Sequence, residues 1–260
     1  MIYLKTDEEI LLMREANQLV GKTLGELAKH IKPGISTLHL DQIAETFIRD
    51  HGAEPAFLGY GGFPNSICVS VNEQVVHGIP LDQVILREGD IVSVDCGTLL
   101  NGFVGDSAYT FSVGDVSEDA KQLLRTTKAA LYEGVREAVV GHRIGDISSA
   151  IQTYCESRGY SVVRELVGHG IGKKMHEKPE VPNFGKKGNG SLLRSGMCIC
   201  IEPMINMGVR NVIFEKDGWT VRTKDRKQSA HFEHCIAIRP EGPMILSSFD
   251  YLEEIVGKEI

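Results

Sequence analysis

Three acidic side chains sit where the patterning of this chain demands buried strands, and that placement limits the fold more than anything else in the sequence. Asp95 closes the run Ile91-Val92-Ser93-Val94, and Glu202 closes Cys198-Ile199-Cys200-Ile201. Glu233 lies in HFEHCIAI, where His231, Glu233 and Cys235 would share one face of a strand. An ionised carboxylate in an apolar strand is costly unless it is paired or bound to a metal. A fold that accepts all three must bring remote strands to one place and put cations among them.

The segment IVSVDCGTLLNGFVGDSAYTF supplies a fourth acid. Asn101-Gly102 is the residue pair preferred by a type I′ turn, so the segment reads as a two-residue hairpin. That turn pairs Leu100 with Phe103 and sets Asp95 opposite Ala108. Asp106 then lies diagonally from Asp95 on the same face, roughly 7–8 Å away at Cα, a gap that two carboxylates can close around a shared ion. In LVGHGIGKKMHEKP, His169 stands between glycines that allow close backbone approach, and His176 follows seven residues later. His77, in VVHGIP, repeats the local HGI string. Four converging carboxylates would repel one another and be forced partly neutral unless divalent ions compensated them. Charge balance therefore suggests a pocket for two divalent metals, with Asp95, Asp106, His169, Glu202 and Glu233 as ligands.

The chain also repeats itself faintly. Thr6 and Glu9 form a capping-box pattern, and a helix runs from there to about Ile31 before Lys32-Pro33-Gly34. A second is expected from Thr37 to His51, a third from near Ser117 toward Gly141, and a fourth from Asp146 to Arg158. At a constant offset of 107, Gly34 maps to Gly141, Leu40 to Ile147, Phe47 to Tyr154 and Gly52 to Gly159. The same offset carries Ile91–Asp95 onto Cys198–Glu202. Two halves, about 6–111 and 117–238, would form a single catalytic domain over 1–260. The expected class is α+β, with a curved antiparallel sheet covered by four helices.

Bulk charge narrows the partners. A net charge of −7 over 260 residues argues against DNA, because phosphate binding needs concentrated Lys and Arg. The basic clusters Lys173-Lys174, Lys186-Lys187 and Arg222 to Lys227 read as solvated loops, with contact to a nucleic-acid or ribosomal surface as the alternative. The start MIYLKTDEEI turns acidic before any apolar run develops, so no signal peptide is expected, and no run approaches a membrane span. The six cysteines match no zinc-ribbon spacing and read as reduced core thiols of a cytoplasmic protein.

Taken together, VVHGIP, VSVDCGTLLNGFVGDSAYTF, GHGIGKKMHEKP, IEPM and HFEH resemble the bacterial type I methionine aminopeptidases of the M24 peptidase family, across essentially the whole chain. That resemblance implies the pita-bread (creatinase/aminopeptidase) fold of two pseudosymmetric halves. It implies that Asp106 and Glu233 bridge two ions, which the oxygen-rich, one-imidazole donor set would take as Co, Mn, Fe or Zn. His77 and His176 match the histidines that contact the substrate backbone, and Glu202 matches the proton carrier. Phe57, Tyr60, Phe63, Cys68 and Trp219 match the lining of the methionine pocket. Asn72 and Ser229 fall where related bacterial enzymes hold a monovalent cation. The implied reaction is attack of a metal-bound hydroxide on the first peptide bond of peptides whose second residue is small.

Nascent polypeptide N-termini are the implied partners of a cytoplasmic monomer, and the resemblance leaves room for association with the ribosome. Leu166, Met175 and Gly61 depart from the residues usual in the family, and bear on pocket shape rather than on the ligands. A proline-specific aminopeptidase or prolidase shares the fold and ligands, but normally carries a further N-terminal domain. A non-catalytic binding homologue would be expected to have lost ligands.

Overall fold

The structure, a computed structural model, describes residues 1–257. Its first helix, α1 (Asp7–Ala28), is fixed at its start by the expected capping box. The Glu9 N–H donates to Thr6 Oγ1 at 3.2 Å, and the Thr6 N–H donates to Glu9 Oε2 at 3.1 Å. The helix stops at Ala28, short of Ile31, where the Lys29 and His30 amides tighten to i→i−3 bonds onto the Glu26 and Leu27 carbonyls. The others are α2 (Thr37–Asp50), α3 (Glu118–Glu137), α4 (Ile144–Glu156) and α5 (Asp250–Val256). α4 begins two residues earlier than the sequence suggested. Asp146 sits in its first turn, where its carboxylate accepts the N–H groups of Arg143 at 2.7 Å and Gly188 at 2.9 Å.

Strands Ile91–Leu100 and Phe103–Ser112 form the expected hairpin in the expected register, with Leu100 opposite Phe103 and Asp95 opposite Ala108. Asp106 pairs with Gly97, which puts it diagonally from Asp95. Strands Glu54–Pro55 and Ile67–Val71 add to Ile91–Leu100 and complete the first sheet. A second, five-stranded sheet has the order Gly242–Ile245, His234–Arg239, Cys198–Ile201, Gly168–Gly170, Glu177–Val181. Asp95 belongs to the first sheet. His169 lies within the second, and Glu202 follows directly on its Cys198–Ile201 strand.

Side-chain hydroxyls join the sheets. Thr110 Oγ1 donates to the His231 carbonyl at 2.7 Å and accepts the His231 N–H at 2.9 Å. Ser107 Oγ donates to the Glu233 carbonyl at 2.6 Å, and the Glu233 N–H donates to the Ala108 carbonyl at 2.9 Å. These bonds correct the reading of HFEHCIAI as one continuous strand. Ser229–His231 pairs with Met204–Asn206, strand pairing breaks at Phe232-Glu233, and His234–Arg239 joins the second sheet. Glu233 sits at that crossing, held against the hairpin that carries Asp106.

α1 presses onto the hairpin from the other side. Thr98 Oγ1 donates to the Ala16 carbonyl at 2.9 Å, and the Asp106 N–H donates to Asn17 Oδ1 at 3.2 Å. Gly105 makes this approach feasible, since a Cβ there would lie 2.6 Å from backbone atoms of Ala16 and Asn17. Gly105→Ala is therefore expected to lose about 1–3 kcal/mol of stability through overpacking. Urea unfolding checks this, and an unchanged midpoint would show that α1 can retreat freely.

The main core spreads between helices and sheets. It includes Leu19, Val20 and Leu24 of α1, Leu123, Leu124 and Leu131 of α3, and Val92, Val94, Ile199 and Ile201 from the strands. Cys198, Cys200 and Cys235 face a separate apolar cluster with Phe57, Phe63 and Met175. Cys198 and Cys200 thus share one face of their strand, and Ile199 and Ile201 face the main core. α5 was not anticipated. It is secured by a largely buried Lys128–Glu253 ion pair at 2.5 Å and by Phe249, which stacks on His234 at 3.9 Å between centroids.

Candidate active site

All five expected ligands line one cavity of about 310 Å³ between the two sheets. His169 Nε2 stands 3.6 Å from Asp106 Oδ2 and 3.6 Å from Glu202 Oε1. Asp106, His169, Cys200 and Glu233 each offer a donor atom within 4.8 Å of the others. The glycines around His169 serve the packing. A Cβ on Gly168 would lie 2.4 Å from the Cys200 carbonyl oxygen, and one on Gly170 would lie 2.3 Å from that of Lys178. Side chains at these positions would push the histidine's strand off its neighbours.

The electrostatics of the cluster are those of a site built for cations. Burial pushes the Asp95 carboxyl up to about 7. Burial also raises Asp106, with repulsion from Glu233 and Asp95 adding to it. Glu202 is raised by burial and then by Asp95 and Asp106, and Glu233 by burial and then by Glu202 and Asp95. Asp95 Oδ1, Asp106 Oδ1 and Glu233 Oε1 are buried without any hydrogen-bond partner. Buried oxygens normally find partners, so three such orphans in one cluster fit a divalent ion as the missing one. Burial, followed by the neighbouring His176, lowers His169 to about 3, so its imidazole stays neutral and its nitrogen free to ligate.

His77 and His176 flank the cavity. His77 holds a left-handed backbone, φ 57°, unusual for a residue with a side chain and typical of functional sites. Burial, then His176, lowers its pKa to about 4. His176 is at the exposed rim, its ring centroid 4.3 Å from that of His169, and desolvation of its inner face lowers its pKa. Tyr60 Oη lies 2.7 Å from His176 Nδ1. Behind it, a buried Lys5–Glu177 ion pair at 2.6 Å ties the residue after His176 to the chain ahead of α1.

Phe57, Tyr60, Phe63, Cys68 and Trp219 line the same cavity, with Phe63 and Trp219 edge to face at 5.1 Å. Sequence reasoning missed Val76, Met204 and the stretch Glu165 to Val167 as wall residues, although Leu166 and Met175 had been singled out for pocket shape. It also read Cys200 as a core thiol only, whereas the structure brings its sulfur beside the carboxylates. The strand alternation that puts Cys200 and Glu202 on one face was the available signal. Asn72 and Ser229 meet outside the cavity lining. The Ser229 N–H donates to the Asn72 carbonyl at 3.0 Å, while Asn72 Oδ1 accepts from the Ile91 N–H and Ser229 Oγ lies 2.8 Å from Asn206 Oδ1. Among the described residues no helix is long and apolar enough to cross a membrane.

Residues 11–240 match the model of metallopeptidase family M24. The chain is 55% identical to methionine aminopeptidase 1 of Bacillus subtilis over 247 residues, covering 95% of this chain and 99% of that one. The crystal structure of methionine aminopeptidase from Rickettsia prowazekii superposes with a TM-score of 0.94 at 43% identity, covering 95% of this chain and 100% of that one. The Xaa-Pro dipeptidase of Bacillus anthracis superposes with a TM-score of 0.75 at 24% identity, and there the match spans 62% of that longer chain. That last likeness concerns the fold alone.

Proposed function

The chain belongs to metallopeptidase family M24, and from that premise we propose that it is a metal-dependent aminopeptidase that removes N-terminal methionine from polypeptides. The observation that carries the reading is an aromatic-lined cavity whose wall holds four carboxylates and one neutral histidine. We propose that Asp95, Asp106, His169, Glu202 and Glu233 would hold two divalent ions. When bound, such ions supply Lewis-acid activation of water and of the scissile carbonyl.

The chain's own side chains do the rest. Phe57, Tyr60, Phe63, Cys68 and Trp219 receive the methionine side chain, whose polarizable thioether suits aromatic and sulfur neighbours. That seating fixes the first peptide bond beside the acids. Glu202 takes a proton from the attacking water and returns it to the leaving amine. His77 binds the substrate backbone. His176 stabilises charge that develops on the carbonyl oxygen. A Tyr60 hydroxyl donating to Nδ1 leaves the ring proton on Nε2, the donor this role needs. Nascent chain N-termini with a small second residue are the proposed substrates, and cytoplasm the proposed location. A monomer, contact with the ribosome, and Co, Mn, Fe or Zn as the ion complete the proposal. Asn72 and Ser229 are proposed to hold a monovalent cation through their oxygens.

The deciding experiment is hydrolysis of Met-Ala-Ser by purified protein titrated with Mn, Co or Fe salts. Met release that rises with metal supports the reading, and cleavage confined to peptides with proline second would replace it with a prolidase-like activity. His176→Ala is expected to lower kcat by about 10²–10³, the usual effect of one oxyanion donor, with metal content unchanged. A loss confined to KM would assign His176 to binding alone.

A further inference from the structure

The strand break that brings Glu233 into the cluster also places a histidine behind Glu202. His231 ends the strand Ser229–His231 and pairs with Met204, two residues beyond Glu202. It is 1% exposed, and its Nε2 has no hydrogen-bond partner. An unanswered polar group at such a place costs about 1–3 kcal/mol, so the fold keeps it against a penalty. Its Nε2 stands 3.7 Å from Glu202 Oε2. The other oxygen of that carboxylate, Oε1, stands 3.6 Å from His169 Nε2. Glu202 thus lies between two imidazoles, one at each oxygen.

The two imidazoles are not equivalent. His169 belongs to the tight group with Asp106, Cys200 and Glu233, and His231 does not. The His231 backbone is pinned on both sides by Thr110, whose hydroxyl also lies 2.8 Å from Ser93 Oγ. Backbone movement therefore cannot carry the ring away. The 3.7 Å separation is longer than the roughly 3 Å of a hydrogen bond, so the contact requires a small side-chain adjustment.

We propose that His231 is a positioning residue for Glu202, its Nε2–H donating to Oε2 so that Oε1 is turned toward the ion held with His169. The inference rests on the reading of the cluster as a divalent-metal centre. Carboxylates that bind metals are commonly oriented by outer partners of this kind, and losing such a partner costs about 10–100-fold in metal affinity or activity.

The test compares His231→Leu, His231→Gln and His231→Asn with the parent. Its readouts are Mn²⁺ binding by calorimetry, the visible absorption spectrum of the Co²⁺-loaded protein, and kcat and KM on Met-Ala-Ser. Leu and the short Asn, neither of which offers a donor that reaches Oε2, are expected to weaken Mn²⁺ binding by about 10–100-fold, shift the Co²⁺ bands and lower kcat more than KM. Gln, which keeps a donor of similar reach, is expected to stay close to the parent on all three. If Leu does not fold, the Asn and Gln pair carries the comparison. Parental Mn²⁺ affinity and Co²⁺ bands in a folded Leu or Asn variant overturn the role. A parent that binds Mn²⁺ with this His231 dependence, yet releases no methionine, would overturn the proposed activity and leave the positioning role standing.

Discussion

Asp106→Ala is expected to abolish methionine release and metal binding together while leaving the fold intact. Asp106 is 3% exposed, and its two oxygens divide their surroundings. Oδ2 lies 3.6 Å from the His169 nitrogen, and Oδ1 has no protein partner at all. Burial and repulsion from Glu233 and Asp95 raise its carboxyl, so its charged form strains the metal-free fold. Its removal should therefore largely spare stability while taking away a proposed metal ligand. Losing several kcal/mol of transition-state stabilisation corresponds to a fall of at least about 10³ in kcat/KM. His169→Ala should behave in the same way, because its neutral imidazole is the one nitrogen donor in the tight group. Metal-to-protein ratios by mass spectrometry, with urea unfolding of the metal-free variants, separate this outcome from a general loss of folding. Either variant retaining its metal and its activity would sink the ligand assignment.

Asp106 could be placed from sequence because a two-residue turn leaves no freedom. Asn101-Gly102 dictates which residues pair, so the relation of Asp106 to Asp95 followed from counting. The acid at Glu202 was legible for a related reason, since Cys200 and Glu202 share a face by strand alternation. Glu233 was legible as an acid in an apolar place but not as part of a break between two strands. Its break from strand geometry depends on Ser107 and Thr110, more than a hundred residues away, capturing the backbone of 231–233. No local pattern carries such a bond. The same holds for His231, which becomes notable only when the crossing brings it behind Glu202. The pocket wall was legible only through family resemblance, because Phe57, Phe63 and Trp219 follow no common periodicity and meet through loops.

The metal-free protein is also expected to lose stability as pH rises from about 6.5 to 8, and divalent ions should reverse the trend. Two sets of buried groups oppose each other below that range. Burial drives His77 down to about 4 and His169, His231 and His234 down to about 3. A histidine depressed in the folded state binds fewer protons there than when unfolded, so its contribution improves as pH climbs to its ordinary value near 6.5 and then levels off. Asp95 at about 7, and Asp106, Glu202 and Glu233 raised well above their ordinary values, act the other way. Each binds a proton in the folded state that the unfolded chain has released above about pH 4, so its contribution falls until the folded group titrates. Above 6.5 the histidines have nothing further to give and the carboxylates act alone. Each carboxyl still protonated only in the folded state costs about 1.4 kcal/mol per pH unit. Bound cations remove the repulsion that holds those protons, so the loaded protein should keep its stability to pH 8 and bind metal more tightly as pH rises. Urea midpoints measured from pH 5 to 8, with EDTA and with Mn²⁺, give the two curves. A chelated protein whose midpoint stays level or climbs above pH 6.5 would mean that the four acids do not crowd one another, and the electrostatic case for a dinuclear centre would fall with it.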